Sequence, residues 1–235
     1  NYKRNPMARR KKNPAPVNPP RRKRLKAKTP NQADYIEEMD CSDITFCSGP
    51  AGSGKTSVAV GLACQYLLEK RVKKIIITRP VVTSGKGLGH LPGTLIEKIN
   101  PYLVPILEEM NLYLTKNSVD AFREEEIIEL CPLEYMRGRN FHDCFMILDE
   151  AQNATFEQIK MFVTRIGRNS KAVINGDLGQ SDLGNLSGGL TECMNRLSEV
   201  EGVGVSELDY SDIVRSDIVA RILRQLNEPI RQEAF

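Results

Sequence analysis

Residues Gly49-Pro50-Ala51-Gly52-Ser53-Gly54-Lys55-Thr56 combine a glycine-rich turn with a lysine followed directly by a hydroxyl, the set needed to hold a polyphosphate and its metal. The glycines let backbone N–H groups close around phosphate oxygens, and a helix opening at the loop adds its dipole. Lys55 can reach the β- and γ-phosphates, the Thr56 hydroxyl can ligate Mg²⁺, and Ser57 follows on the same helix start. A flexible turn without a ligand is the plainer alternative. The apolar run before the motif and the helical pattern after it argue for the phosphate loop.

Such a loop needs an acidic partner for its metal. Cys144-Phe145-Met146-Ile147-Leu148 ends in Asp149-Glu150. Asp149 would hold the Mg²⁺ shell at the carboxyl edge of a sheet, and Glu150 could polarise a water for attack on the γ-phosphate. Apolar strands often end in exposed acids, so this pair gains its meaning from the loop upstream. Ala151-Gln152 extends it to Asp-Glu-Ala-Gln. A second apolar run leads into Gly176-Asp177-Leu178-Gly179-Gln180, where Gln180 could hydrogen-bond the γ-phosphate and pass the difference between ATP and ADP into the following loop. The glycine–aspartate turn is also ordinary punctuation.

These groups must sit on alternating strands and helices, the pattern of a parallel sheet covered on both faces. Strands are expected at Ile44–Ser48, Lys74–Thr78, Cys144–Leu148, Lys171–Asn175 and Gly202–Leu208. Helices are expected at Gly54–Lys70, Phe156–Ile166, Leu190–Leu197 and Ile213–Leu226, with a proline-interrupted helical stretch over Leu95–Met110.

The net charge of +3 over 235 residues conceals an asymmetry. Residues 1–28 hold twelve Lys/Arg and no acid, leaving 21 basic against 30 acidic residues, a net −9, in the remainder. With its prolines and few apolar side chains, this arm cannot offset its ordering entropy and is expected to be disordered. It reads as a solvated tail, a nucleic-acid tether or, through Arg21-Arg22-Lys23-Arg24, a nuclear address. The organisation is therefore an arm over 1–28 and one α/β domain over 29–235. No apolar run approaches the length of a membrane span. The charged, proline-containing start lacks the apolar block of an export signal, so a reducing, cytoplasmic setting is expected. The six cysteines include no C-x-x-C pair and read as core filler. With only His90 and His142 to join them, a zinc ligand set is lacking.

Beyond the phosphate loop, a longer series of motifs resembles the PhoH-like ATPases, whose nucleotide core is similar to that of superfamily 1 helicases. The series runs through Pro30-Asn31-Gln32 with Tyr35, Ile77-Thr78-Arg79-Pro80, Leu88-Gly89-His90-Leu91-Pro92-Gly93, Pro101-Tyr102 and Met136-Arg137-Gly138-Arg139. It continues with Ile147 to Asn153, Gly176 to Gln180 and Asp212-Ile213-Val214-Arg215, and so covers nearly everything from Thr29 onward. The resemblance implies a RecA-like fold, Mg²⁺-dependent ATP binding and hydrolysis, action on single-stranded RNA or another nucleic acid, and ring-shaped oligomers. It also implies that Gln32 reads the adenine edge, as an amide that donates and accepts can. Nucleic-acid contacts on the body are expected at Arg79, Arg137 and Arg139. A superfamily 1 helicase completes its site with arginines from a second lobe; one lobe here implies a finger in trans, Arg215 first, within a hexamer. Ser216-Asp217 stands where the family usually has His-Pro, a departure from the ring contacts of that motif. The nuclease domain of longer relatives is not matched, so RNA cleavage is not expected. Two other readings stay open: a nucleotide-switched binding module with little turnover, and a P-loop kinase, which the Asp149-Glu150 pair and Gln180 disfavour.

Overall fold

Period-two alternation in the apolar runs decides the architecture. In the computed structural model, which describes residues 23–80, 104–179, 188–214 and 221–222, six parallel strands form one sheet in the order β3-β2-β4-β5-β1-β6. They are β1 (Ile44–Ser48), β2 (Lys74–Thr78), β3 (Ile128–Leu130), β4 (Cys144–Leu148), β5 (Lys171–Gly176) and β6 (Val203–Glu207). Cys47, Ile75, Ile77, Phe145, Ile147 and Val173 face one side and pack with the helix α2 (Lys55–Leu68). Phe46, Ile76, Cys144, Met146, Leu148, Ala172 and Ile174 face the other. Strands apolar on both faces belong to a sheet covered on both.

On the first face, α2 is buried on nearly every side, with Tyr66 meeting Phe145 edge to face at 5.4 Å. Outside it lie α1 (Pro30–Cys41), helical residues 104–110 and α3 (Lys116–Glu124). On the second face, Ile159 and Phe162 of α4 (Phe156–Val163) and Leu190, Cys193 and Met194 of α5 (Gly189–Leu197) cover the sheet. Burial of one such side chain is worth about 1.5–3 kcal/mol, so this double cover dominates the fold's stability.

Local chemistry sets the ends. Thr29 caps α1 by accepting from the Gln32 N–H at 3.2 Å, with Pro30 in the first turn. Thr155 and Gln158 form a reciprocal capping box on α4. That helix stops at Val163 instead of Ile166, because Ile166 leaves to bridge Phe141. The five expected strands are present within a residue or so; α1, α3 and the three-residue β3 were not expected. Ile213 and Val214 are not helical; they follow a 3₁₀ turn at Tyr210–Asp212. The rest of the expected closing helix, apart from 221–222, lies outside the described residues, as do residues 1–22, 81–103 and 180–187.

Five cysteines are buried, but Cys41 at the end of α1 is exposed. Among the described residues no helix is long and apolar enough to cross a membrane. The register aligns the strand ends that matter: Ser48 lies opposite Gly176, and Leu148 opposite Ile174 and Thr78. The residues following β1, β2, β4 and β5 therefore emerge together at one carboxyl edge, where ligands of open α/β sheets bind.

Candidate functional site

The loop after β1 opens directly into α2. Gly52 and Gly54 turn there with φ of 86° and 99°, a region that favours glycine. Gly54 is constrained twice, since a Cβ on it would come within 2.7 Å of the Gln32 amide nitrogen. No side chain caps α2, so its first-turn N–H groups remain available to an anion. The Lys55 ammonium folds over the loop and donates to the carbonyls of Gly49 at 2.5 Å and Pro50 at 3.0 Å. Asp177, just past β5, accepts from the Ala51 N–H at 3.1 Å. The loop thus already receives one anionic oxygen on its backbone.

The Thr56 hydroxyl donates to Asp149 Oδ1 at 2.7 Å, joining residues 93 positions apart. Asp149 is 2% exposed, and its other oxygen accepts from Arg79 Nε at 3.0 Å and Nη2 at 2.5 Å. A hydroxyl facing a buried carboxylate at the opening of the phosphate-loop helix fits Mg²⁺, which takes few protein ligands and completes its shell with phosphate oxygens and water. Thr56 and Asp149 would hold the ion, which when bound neutralises charge on the phosphates. Arg79 was expected on a nucleic-acid surface; instead it lies in this cleft, paired with Asp149 and 3.8 Å from Glu150 Oε1.

Glu150 adopts a left-handed backbone, φ 56°, which costs a non-glycine residue about 1 kcal/mol. That turn separates it from the metal carboxylate and leaves its side chain half exposed beside the cleft. Its Oε2 accepts from Gln152 Nε2 at 2.7 Å, and Gln152 Oε1 accepts from the Asp177 N–H at 3.0 Å. Gln152 therefore ties the candidate base to the tip of β5, and Asp177 carries the link on to Ala51. Gln180, proposed as the sensor, lies outside the described residues.

α1 supplies the remaining wall. Gln32 is 3% exposed; it donates to Ser53 O at 2.8 Å and accepts from the Lys28 N–H at 3.0 Å. One turn on, Tyr35 donates to Asn175 Oδ1 at 2.7 Å within the core, and burial holds its phenol well above the ordinary tyrosine range. Asp212 is wholly buried and accepts from the Thr29 hydroxyl, from Asn31 Nδ2 at 3.0 Å and from the Asp209 N–H at 2.7 Å. The start of α1 is thus fastened to the segment after β6. Arg215, three residues past Asp212, is outside the described residues. Arg139 makes a bidentate pair with Glu129 at 2.6 and 3.0 Å, away from the cleft. Arg137 is exposed, and Tyr135 two residues before it is 51% exposed.

Together these walls enclose about 530 Å³, lined among others by the loop, Gln32, Arg79, Asp149, Glu150 and Asp177, a size suited to a small ligand. Sequence reasoning missed the Gln152 link, the Asp177 contact with Ala51, the Asp212 clasp and Glu109, which accepts from the Ser57 hydroxyl. Gln152 had a signal, since it stands two residues past Glu150; the others are contacts across long sequence separations.

A phosphate loop opening a helix on a parallel sheet, with a buried strand-end carboxylate against its hydroxyl, defines a P-loop domain of RecA-like α/β fold. The chain belongs to the PhoH-like family, whose model, described as PhoH-like protein, matches residues 24–227. It is 44% identical over 202 residues to a PhoH-like protein of Bacillus subtilis, covering 86% of this chain and 63% of that protein. Protein PhoH of Escherichia coli is 38% identical over 200 residues, covering 84% and 56%. The chain thus spans about three-fifths of the length of these relatives. Among solved structures, the large terminase of a thermophilic bacteriophage is similar in fold, with a TM-score of 0.57 at 10% identity over 86% of this chain and 51% of that one. The same terminase in complex with ADP gives 0.54 at 10% identity over 86% and 50%.

Proposed function

We propose that this chain is an ATPase that binds ATP with Mg²⁺ in the cleft at the carboxyl edge and couples hydrolysis to single-stranded RNA or another nucleic acid. The observation that carries the reading is the Thr56–Asp149 contact at 2.7 Å beside the phosphate loop, with Glu150 next in sequence. Lys55 exchanges its loop carbonyls for the β- and γ-phosphates. Thr56 and Asp149 seat the metal. Glu150, oriented by Gln152, takes up proton density from the attacking water, and Arg79 screens the two carboxylates from each other. Gln32 reads the adenine edge, exchanging contacts with Ser53 and Lys28 for the base.

Residues 1–28 supply sequence-independent attraction to phosphates through their twelve cations. Among the described residues, Arg79 is the arginine that lines the cleft, and it is committed to Asp149. We therefore place the arginine finger on a neighbouring subunit of a ring, with Arg215 as first candidate.

Lys55→Ala is expected to lose both nucleotide affinity and turnover, whereas Glu150→Gln should retain bound ATP unhydrolysed. Phosphate release and retained radiolabelled ATP report the two. Wild-type turnover by Glu150→Gln would remove Glu150 as the base. Mixing Lys55→Ala with Arg215→Ala subunits should restore some activity if the finger acts in trans. A dead mixture of demonstrably exchanging subunits contradicts the ring.

A further inference from the structure

We propose that Glu109 reads the sugar of the bound nucleotide, so that the cleft takes ribonucleotides in preference to 2′-deoxyribonucleotides; this rests on the nucleotide-binding reading above. The two ends of the cleft differ in chemistry. The phosphate loop itself offers backbone N–H groups and the Lys55 ammonium, donors suited to acceptor oxygens, while Asp149, Glu150 and Asp177 stand beside it as acceptors. The other end is lined by Leu25, Ser57, Glu109, Leu112 and Tyr113, and the lysines Lys23, Lys26 and Lys28 line the same cleft. Ser57 directly follows the metal-side hydroxyl of Thr56, so its neighbourhood adjoins the phosphates, where the sugar comes next along a nucleotide.

Glu109 is firmly placed there. It belongs to helical residues 104–110, whose Ile106 and Met110 are buried in the core on the α2 side. Its Oε1 accepts from the Ser57 hydroxyl. Tyr113, 5% exposed, closes the same end by lying over Gly61 of α2, where a Cβ would come within 2.7 Å of its ring and 2.8 Å of a Leu25 methyl. A residue larger than glycine at 61 would push this wall into the cleft. Burial, and then the neighbouring Glu109 carboxylate, raise the Tyr113 phenol, which keeps it a neutral hydroxyl.

A carboxylate in a cleft built for phosphates opposes the charge of its ligand, so it needs a compensating partner. An ionised carboxylate accepts through about four lone pairs, of which the Ser57 hydroxyl uses one. Phosphate oxygens offer it no donor, whereas ribose hydroxyls do. Acidic side chains on ribose hydroxyls are a recurrent solution in other nucleotide folds. A hydrogen bond to a charged acceptor is worth enough to separate ATP from 2′-deoxy-ATP by roughly tenfold or more.

The test is calorimetric titration of ATP, 2′-deoxy-ATP, ITP and inorganic tripolyphosphate, each with Mg²⁺, into wild type, Glu109→Ala and Glu109→Gln, with melting curves to confirm folding. Wild type should bind ATP at least about tenfold more tightly than 2′-deoxy-ATP. Glu109→Ala should bring the two together while leaving tripolyphosphate unchanged or tighter. Glu109→Gln, which keeps the shape without the charge, should retain part of the preference. Equal binding of ATP and 2′-deoxy-ATP by wild type, or an intact preference in Glu109→Ala, overturns the proposal. So does a Glu109→Ala effect confined to ATP against ITP, which would assign the carboxylate to the base. If wild type fails to bind tripolyphosphate and ATP alike, it is the nucleotide reading that fails, and this proposal falls with it.

Discussion

Two arginine–carboxylate pairs in this molecule use the same chemistry for different ends. Arg139 grips both oxygens of Glu129, and Lys74 adds a third contact at 3.0 Å. Arg139 also lies over the Phe141 ring at 4.5 Å. Both oxygens of Glu129 are engaged in tying the edge strand β3 to β2 and to the loop that follows. Arg79 takes only one oxygen of Asp149, and the other accepts from the Thr56 hydroxyl at 2.7 Å in the wall of the cleft. What separates a structural clamp from a candidate metal site is therefore what the second oxygen meets. The presence of an arginine partner alone does not distinguish them.

The sharpest way to break this comparison is to neutralise each carboxylate. Asp149→Asn should lower Mg²⁺-dependent hydrolysis roughly a thousandfold, the several kcal/mol a catalytic metal supplies, with the fold intact by circular dichroism. Glu129→Gln should leave turnover within about twofold. Equal losses in the two variants would erase the distinction.

Removing the arginines should give a smaller contrast. Arg79→Ala leaves Asp149 and Glu150 unscreened and should slow turnover on the order of tenfold, about 1.4 kcal/mol. Arg139→Ala should cost stability instead, about 0.5–1 kcal/mol given its partial exposure, as read by urea denaturation.

The pH dependence of that loss has a definite sign. Burial alone would raise the Glu129 carboxyl, but the hydrogen bonds and charges of Arg139 and Lys74 outweigh it and hold the group below the ordinary glutamate value. A depressed folded value means the pair's contribution is fully present above the unfolded carboxyl's titration and is lost as pH falls through the folded value. Wild type and Glu129→Gln should therefore converge in stability at acid pH. A gap that widened on acidification would contradict the assignment.

The smallest expected effect concerns the third arginine. Arg137 is exposed whereas Arg139 is held by Glu129, so Arg137→Ala should reduce the slope of log K against log salt for single-stranded RNA by about 0.7, one phosphate contact, and Arg139→Ala should not. Filter binding at several salt concentrations reads both.

The contrast between the arginines also shows what was legible in the sequence. The phosphate loop and the Asp149-Glu150 strand end could be read because their chemistry is local: residue type, spacing and the flanking apolar runs all lie within a few positions. Arg79, Arg137 and Arg139 looked alike, since a guanidinium carries no mark of its partner. Their roles depend on strand order, which puts β2 beside β4 and β3 at the edge. α1 was missed because its pattern is largely polar, although Thr29-Pro30 offered a cap and a first-turn proline. β3 is too short for a period-two signal. The clasp of Asp212 on Thr29 and Asn31 joins positions more than 180 apart and had no local trace.

The claim on which the rest depends is that Thr56 and Asp149 together seat a metal at the phosphate loop. Electron paramagnetic resonance of Mn²⁺, a hard divalent stand-in for Mg²⁺, tests it without relying on turnover. With a non-hydrolysable ATP analogue present, wild-type protein should remove the free Mn²⁺ signal at concentrations where the analogue alone leaves most of it. Asp149→Asn and Thr56→Ala should each leave that signal in place. Undiminished capture of Mn²⁺ by both variants would contradict the assignment.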